Sequence, residues 1–149
     1  MLTNIDAIIF DIDGTLADNS ERQKILQNDG YNWKLFFEKM GNDKVNSSVL
    51  ELYNILKLSQ KYKMFLVSGR PEEYRKLTEQ WLIWNKIEFD ELYMRPNGDY
   101  RSDVDIKKDI LKTIQQKYKV SFVFDDRNSV VKMWRSEGLT CFQCADHNY

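Results

Sequence analysis

Four carboxylates come in two tight pairs: Asp11 and Asp13 in "FDIDGT", and Asp125 and Asp126 in "FDDR". Between them lie Ser68 and Arg70 in "VSGR", and a helix-like run, "DIKKDIL", that carries lysines. Four acids gathered without a cation repel one another. A hard divalent cation such as Mg²⁺ relieves this, because it takes oxygen ligands and keeps its waters. A cation, a serine hydroxyl and a lysine then form a pocket for a phosphate, whose oxygens need such a clamp during transfer. A carboxylate can attack phosphorus and form an aspartyl-phosphate. A second carboxylate two residues on can protonate the leaving oxygen and later activate water. Gly14 lets the chain turn at once, so that both acids of the first pair reach one centre.

Something rigid has to hold these groups. "AIIF", residues 7–10, runs into Asp11. "MFLV", residues 64–67, runs into Ser68-Gly69-Arg70, and "VSFVF", residues 120–124, runs into Asp125. Short continuous apolar runs suit strands buried on both faces, as in parallel sheets. "ELYM" (91–94) and "LTCFQ" (139–143) are further strand candidates. Helical stripes alternate with them: Val49, Leu52, Tyr53 and Leu56 behind a capping Ser47 or Ser48; Tyr74, Leu77, Trp81 and Trp84 behind a first-turn Pro71; Ile106, Ile110 and Ile114; and Val130, Val131 and Trp134, stopped by Gly138. Trp81 and Trp134 read as helix-to-sheet packing. The pattern predicts a doubly wound α/β fold: a mainly parallel sheet flanked by helices, with ligands bound beyond the carboxyl ends of the strands. Asp11, Ser68 and Asp125 fall at those ends.

The totals are consistent with one domain over residues 1–149, with 42% hydrophobic residues to fill a core. Twenty-two basic against 23 acidic residues leave a net charge of −1. A purely electrostatic nucleic-acid binder would be basic, so any such contact is local. Cys141 and Cys144 form one pair with His147 as the only histidine, too few for a four-ligand zinc site, and read as ordinary thiols. No signal peptide and no apolar run of 18 residues is seen, so the expected location is cytoplasmic, of a host or an infected cell.

In this order, "DIDGT", "VSGR", a helix-borne lysine and "DD" resemble the four motifs of the haloacid dehalogenase (HAD) superfamily. The longer stretches "IIFDIDGTLAD…R", "DKVN", "VSGRPEEYRKLTEQWL", "MRPNGDYRSDVDIKKDIL" and "FDDRNSVVKMWRSEGLTCFQCADHNY" resemble the 3′-phosphatase domain of T4-type phage polynucleotide kinase/phosphatases over about residues 5–149. The resemblance implies Asp11 as nucleophile and Asp13 as general acid/base. It implies Ser68 on the phosphate, Lys107 (spaced four from Asp103, which excludes Lys108) steadying the phosphoaspartate, and Asp11, Asp13, Asp125 and Asp126 around Mg²⁺. It also implies Arg22, Arg70 and Asp103 at the substrate. By themselves Arg22 reads as a surface arginine and Asp103 as a helix cap. Arg127 reads as a surface ion pair. Arg95 and Arg101 either touch substrate phosphates or solvate a loop.

The segment 18–46 is a short flap-like insertion, too small for a folded cap domain. Within it "WKLFFEKM" suits a short amphipathic helix, and Tyr31, Trp33, Phe36 and Phe37 either pack or stack on bases. The phosphate-binding loop of the phage kinase domain, "GxxxxGK[ST]", is absent, so 5′-kinase or ligase steps belong to a separate partner or to the rest of a larger enzyme. The expected function is Mg²⁺-dependent removal of 3′-phosphate, with 2′,3′-cyclic phosphate a further substrate, from nucleic-acid ends. The rivals are a HAD phosphatase for nucleoside monophosphates and a non-catalytic binder of phosphorylated ends.

Overall fold

The chain winds strand, helix, strand around one central element, β1 (Ala7–Phe10), all four of whose residues are buried. The computed structural model describes residues 4–149. β1 pairs in parallel with β4 (Lys63–Pro71) on one side and β6 (Val120–Arg127) on the other. β5 (Glu91–Arg95) and β7 (Cys141–His147) complete a parallel five-stranded sheet in the order β5-β4-β1-β6-β7.

Because strand side chains alternate, the sheet has two apolar faces, and each needs cover. Ile8, Phe10, Met64 and Leu66 point to one core, closed by Tyr53 of α3 (Ser47–Leu58) and by Trp81 and Leu82 of α4 (Arg75–Trp84). Ala7, Ile9, Phe65 and Val67 point to the other. That core is closed by Leu111 and Ile114 of α5 (Asp103–Gln115) and by Val130, Val131 and Trp134 of α6 (Asn128–Ser136). The doubly wound arrangement is therefore as predicted, and among the described residues no cap domain covers the strand ends.

Several local expectations change. β4 continues through Ser68-Gly69-Arg70, and Pro71 still pairs with Arg95. A single 3-10 turn (Glu72–Tyr74) intervenes before α4, so Pro71 ends a strand instead of opening a helix. Trp84 is 75% exposed and Leu52 40% exposed, so neither belongs to a packed stripe; Leu50 packs on the core instead. α3 begins after Asn46, with Ser47 its first helical residue. β7 starts two residues later than predicted and runs to His147.

Between β1 and α3, β2 (Ala17–Asp18) pairs antiparallel with β3 (Lys44–Val45). They bracket α1 (Ser20–Asn28), α2 (Trp33–Glu38) and a 3-10 turn (Lys39–Asn42). "WKLFFEKM" thus folds as a short helix and turn that buries Phe36 and Met40 while Trp33 stays 52% exposed. Trp33, Phe37 and Tyr74 form a row of near-parallel rings, with centroids 6.0 and 5.1 Å apart. Among the described residues, no helix is long and apolar enough to cross a membrane.

Candidate active site

β1 ends at Phe10, and the Asp11 amide still donates to Phe124 O at 3.0 Å, so Asp11 is fixed by the sheet itself. The chain then reverses. Gly14 N donates to Ala17 O, while Thr15 N and Ala17 N both donate to Ile12 O. Gly14 has φ +83°, and a Cβ there would lie 2.2 Å from Asp126 Oδ2. Only glycine permits this turn against that carboxylate.

Carboxylate oxygens of Asp11, Asp125 and Asp126, all buried, lie within 4.8 Å of one another. Lys107 Nζ, on the second turn of α5, donates to Asp11 Oδ1 at 2.7 Å and to Asp125 Oδ2 at 2.9 Å. Thr15 Oγ1 lies 3.1 Å from both Asp11 Oδ2 and Asp126 Oδ1. The Trp134 indole N–H donates to Asp125 Oδ2 at 3.1 Å, so this side chain both packs and orients an acid. Burial, with Asp125 beside it, raises the Asp11 carboxyl well above the usual carboxylate range, although Lys107 opposes the rise. Burial works against the charge on Lys107, but Asp11 and Asp125 outweigh it and hold the ammonium firmly protonated. Three oxygen donors around one point, with little nitrogen or sulfur among them, fit a hard cation such as Mg²⁺.

Asp13 lies outside that trio. Its carboxylate turns to two buried guanidiniums, where it takes a hydrogen bond from Arg22 Nη2. Arg70 adds two more, Nε to Oδ2 at 3.0 Å and Nη2 to Oδ1 at 2.6 Å. Burial would raise the Asp13 carboxyl, yet Arg22 and Arg70 together hold it far below the usual range. The tight turn thus gives Asp13, the fourth acid of the expected metal set, a different set of partners from Asp11. Arg22 is not on the surface. It is 2% exposed, lies over the Phe36 ring at 4.5 Å, and is gripped by Asp43 through Nε at 2.8 and 2.9 Å and Nη2 at 2.7 Å. Two acids and two buried arginines thus form a charge-balanced quartet open to solvent at Asp13, with Thr78 Oγ1 accepting from Arg70 Nη1 at 3.2 Å.

Ser68 is buried at the end of β4's apolar run, and its Oγ accepts from Arg70 N at 3.1 Å. Asp103 is the first residue of α5, not its cap: Ser102 Oγ accepts from Asp105 N in that role. Asp103 is pinned by Arg95 and by Arg127 Nη1 at 2.8 Å, and it packs so close to Gly69 that a Cβ there would meet Oδ1 at 2.5 Å. Arg95 also donates to Gly69 O and Asp99 O, so its polar atoms serve the fold. Arg101 pairs with Asp99 and Asp109 on the surface.

The structure therefore gathers Asp11, Asp13, Ser68, Arg22, Arg70, Lys107, Asp125 and Asp126 in two linked clusters at the carboxyl ends of β1, β4 and β6, with Asp103 beside Gly69. Sequence reasoning missed Thr15, Asp43, His147 and Tyr149. Thr15 belongs to "DGT" and Asp43 to "DKVN", so both were within quoted motifs. His147 and Tyr149 also fall within the matching C-terminal stretch, but nothing in their spacing marked them as partners of Asp126.

A family model described as the polynucleotide kinase PNKP phosphatase domain matches residues 5–149. A chain in the structure of the Pnkp1/Rnl/Hen1 RNA repair complex is 38% identical with TM-score 0.81, over 100% of this chain and 47% of that one. A protein of Autographa californica nuclear polyhedrosis virus, named as a bifunctional polynucleotide kinase/RNA ligase, is 28% identical over 131 residues. That match covers 87% of this chain and 18% of the viral protein, so this chain spans less than half the length of either relative. A haloacid dehalogenase-like hydrolase from Streptococcus pneumoniae shares the fold, with TM-score 0.62 at 16% identity over 93% of this chain and 84% of its own. With a strand-end acid cluster, a buried lysine and this match across nearly its whole length, the chain belongs to the PNKP phosphatase-domain family of the haloacid dehalogenase superfamily and is a phosphatase of that type.

Proposed function

We propose that this phosphatase removes 3′-phosphate from nucleic-acid ends, with Mg²⁺ bound by Asp11, Asp125 and Asp126. The match to the PNKP phosphatase domain over residues 5–149 carries this reading. The uncapped strand ends support it, because a polymer terminus needs an open approach. Terminal 2′,3′-cyclic phosphate is a second substrate on the same reading.

Asp11 is the nucleophile: it stands at the end of a rigid central strand, oriented by Lys107 and Thr15. Mg²⁺, when bound, supplies charge stabilisation to the phosphate oxygens. Lys107 steadies the same charge from the protein side, and the Ser68 hydroxyl binds a phosphate oxygen. Arg22 and Arg70 meet the substrate. Asp13 handles the proton of the leaving 3′-oxygen and of the attacking water once a bound phosphate draws Arg22 and Arg70, which hold it ionised in the free protein, toward itself. Asp103 packs against Gly69 at the end of β4 and so holds the "SGR" stretch that serves the substrate. The 5′-kinase and ligase steps fall to a partner or to other parts of a longer protein. The free thiols of Cys141 and Cys144 suit a reducing, cytoplasmic setting.

The test is phosphate release from an oligonucleotide 3′-phosphate with Mg²⁺ and with EDTA, beside a 5′-phosphate oligonucleotide and a 3′-mononucleotide. Metal-dependent release from the 3′-oligonucleotide alone is expected. Preference for the mononucleotide would keep the chemistry but overturn the polymer substrate.

A further inference from the structure

β7 does not end where its pairing with β6 is regular. Asp125 faces Gln143, but Arg127 faces His147: two steps along β6 match four along β7. Such an irregularity re-aims the side chains beyond it. Here it brings His147 and Tyr149 back over the acid cluster. His147 Nδ1 lies 2.5 Å from Asp126 Oδ2, and the Tyr149 hydroxyl donates to the same oxygen at 3.0 Å. Asn19, 3% exposed, donates to the Tyr149 hydroxyl at 3.3 Å, which leaves the hydroxyl proton for Asp126. The two rings stack at 5.4 Å, and the Arg127 guanidinium lies 5.5 Å from the Tyr149 ring.

The two oxygens of Asp126 are thus sorted. Oδ1 shares the Thr15 hydroxyl with Asp11 and so faces the cluster. Oδ2 is held by His147 and Tyr149, with Gly14 leaving room beside it. A carboxylate ligand needs its second oxygen fixed if the first is to point correctly, and partners of this kind typically affect metal affinity about 10–100-fold. We infer that His147 and Tyr149 are positioning residues: together they lock the rotamer of Asp126 so that Oδ1 is presented to the cation. Burial, with Asp126 next in effect, raises the Tyr149 phenol, so it stays a donor at neutral pH. This inference rests on the proposed cation site.

The test measures cation affinity directly, by calorimetric Mg²⁺ titration and by Mn²⁺ electron paramagnetic resonance, on protein without substrate. Tyr149→Phe keeps the ring and its contacts but loses the donor. His147→Ala removes the second contact, and His147→Asn places an amide N–H near the same point. The expected result is a Kd raised about tenfold in Tyr149→Phe and in His147→Ala, more in the pair, with affinity regained in His147→Asn. Unchanged Kd values in both single variants would overturn the positioning role while leaving the cation site intact. No cation binding by the wild-type protein would overturn the site as well. If the double variant loses its cooperative melt, Tyr149→Phe alone decides.

Discussion

Lys107 Nζ lies 2.7 Å from Asp11 Oδ1, which sets a buried cation directly against a buried acid at the head of the central strand. The same ammonium reaches Asp125 at 2.9 Å. Lys107→Met leaves Asp11 and Asp125 without their shared cation. Breaking a buried pair from one side costs about 3–5 kcal/mol. The variant should lose stability on that scale in EDTA, regain part of it in saturating Mg²⁺, and release phosphate at least about 100-fold more slowly. Denaturant unfolding with and without Mg²⁺ checks the first two. Equal losses in both solutions would mean that Lys107 and the cation do not share a charge cluster.

Asp11→Asn tests the nucleophile separately from the fold. Burial and Asp125 raise the Asp11 carboxyl, so its charge is unfavourable in the folded chain. A folded pKa above the unfolded value means that stability is lost as pH rises through that range. Asparagine removes the charge and keeps the shape. Turnover should fall to background while stability without metal stays level or rises by about 1 kcal/mol. Residual turnover near the wild-type rate would remove Asp11 from its role.

Asp43 holds Arg22 with three hydrogen bonds, and Arg22 in turn holds Asp13. Asp43→Ala leaves Arg22 buried with one acid fewer, its remaining polar partners being Asp13 and the Phe36 carbonyl. A loss of about 2–4 kcal/mol is expected, with kcat/KM lowered about 10–100-fold through misplaced substrate contact. Asp43→Asn, which keeps an acceptor, should recover part of both. If the two variants behave alike, the charge of Asp43 is what matters and its geometry is not.

The acid motifs were legible because each sits where an apolar run stops. "AIIF", "MFLV" and "VSFVF" had to be central strands, and parallel strands place their ends together. The arginine quartet was only half legible. Arg22 stands in a polar stretch, and its burial depends on α1, α2 and the turn after α2 folding back over it, which no local period announces. Trp84 misled because an aromatic at helical spacing looks like core, yet α4 turns Trp81 and Leu82 to the sheet and leaves Trp84, at its last turn, in solvent. His147 and Tyr149 lay in a matching stretch, but their contact with Asp126 could not be read from it, since the irregular register of β7 that delivers them exists only in the paired sheet.

The two thiols give a prediction independent of catalysis. Burial and Asp125 push Cys141 up to about 12, and burial with Asp11 and Asp125 pushes Cys144 up to about 12. Free cysteine titrates near about 8.5 and reacts as the thiolate. At pH 8 both native cysteines should alkylate at least about 100-fold more slowly than in denaturant. Intact-mass measurement after timed iodoacetamide exposure reads this directly. Rapid native labelling of Cys141 would contradict its buried setting.

Gly14→Ala offers the sharpest steric test, because two separate effects act at one atom. The backbone stands at φ +83°, a region that costs a residue with a side chain about 1–2 kcal/mol. The new methyl would also lie 2.2 Å from Asp126 Oδ2 and 2.8 Å from the Tyr149 hydroxyl, so Asp126 must move. Strain alone predicts a stability loss with normal cation affinity in the folded fraction. The contact predicts that affinity falls too, since Asp126 turns Oδ1 away from Asp11 when Oδ2 is displaced. Both losses are expected: about 2 kcal/mol or more in urea unfolding, and Mg²⁺ binding weakened by at least about tenfold at a temperature where the variant is fully folded. A destabilised variant that still binds Mg²⁺ as the wild type does would show that the chain around Gly14 yields without disturbing Asp126.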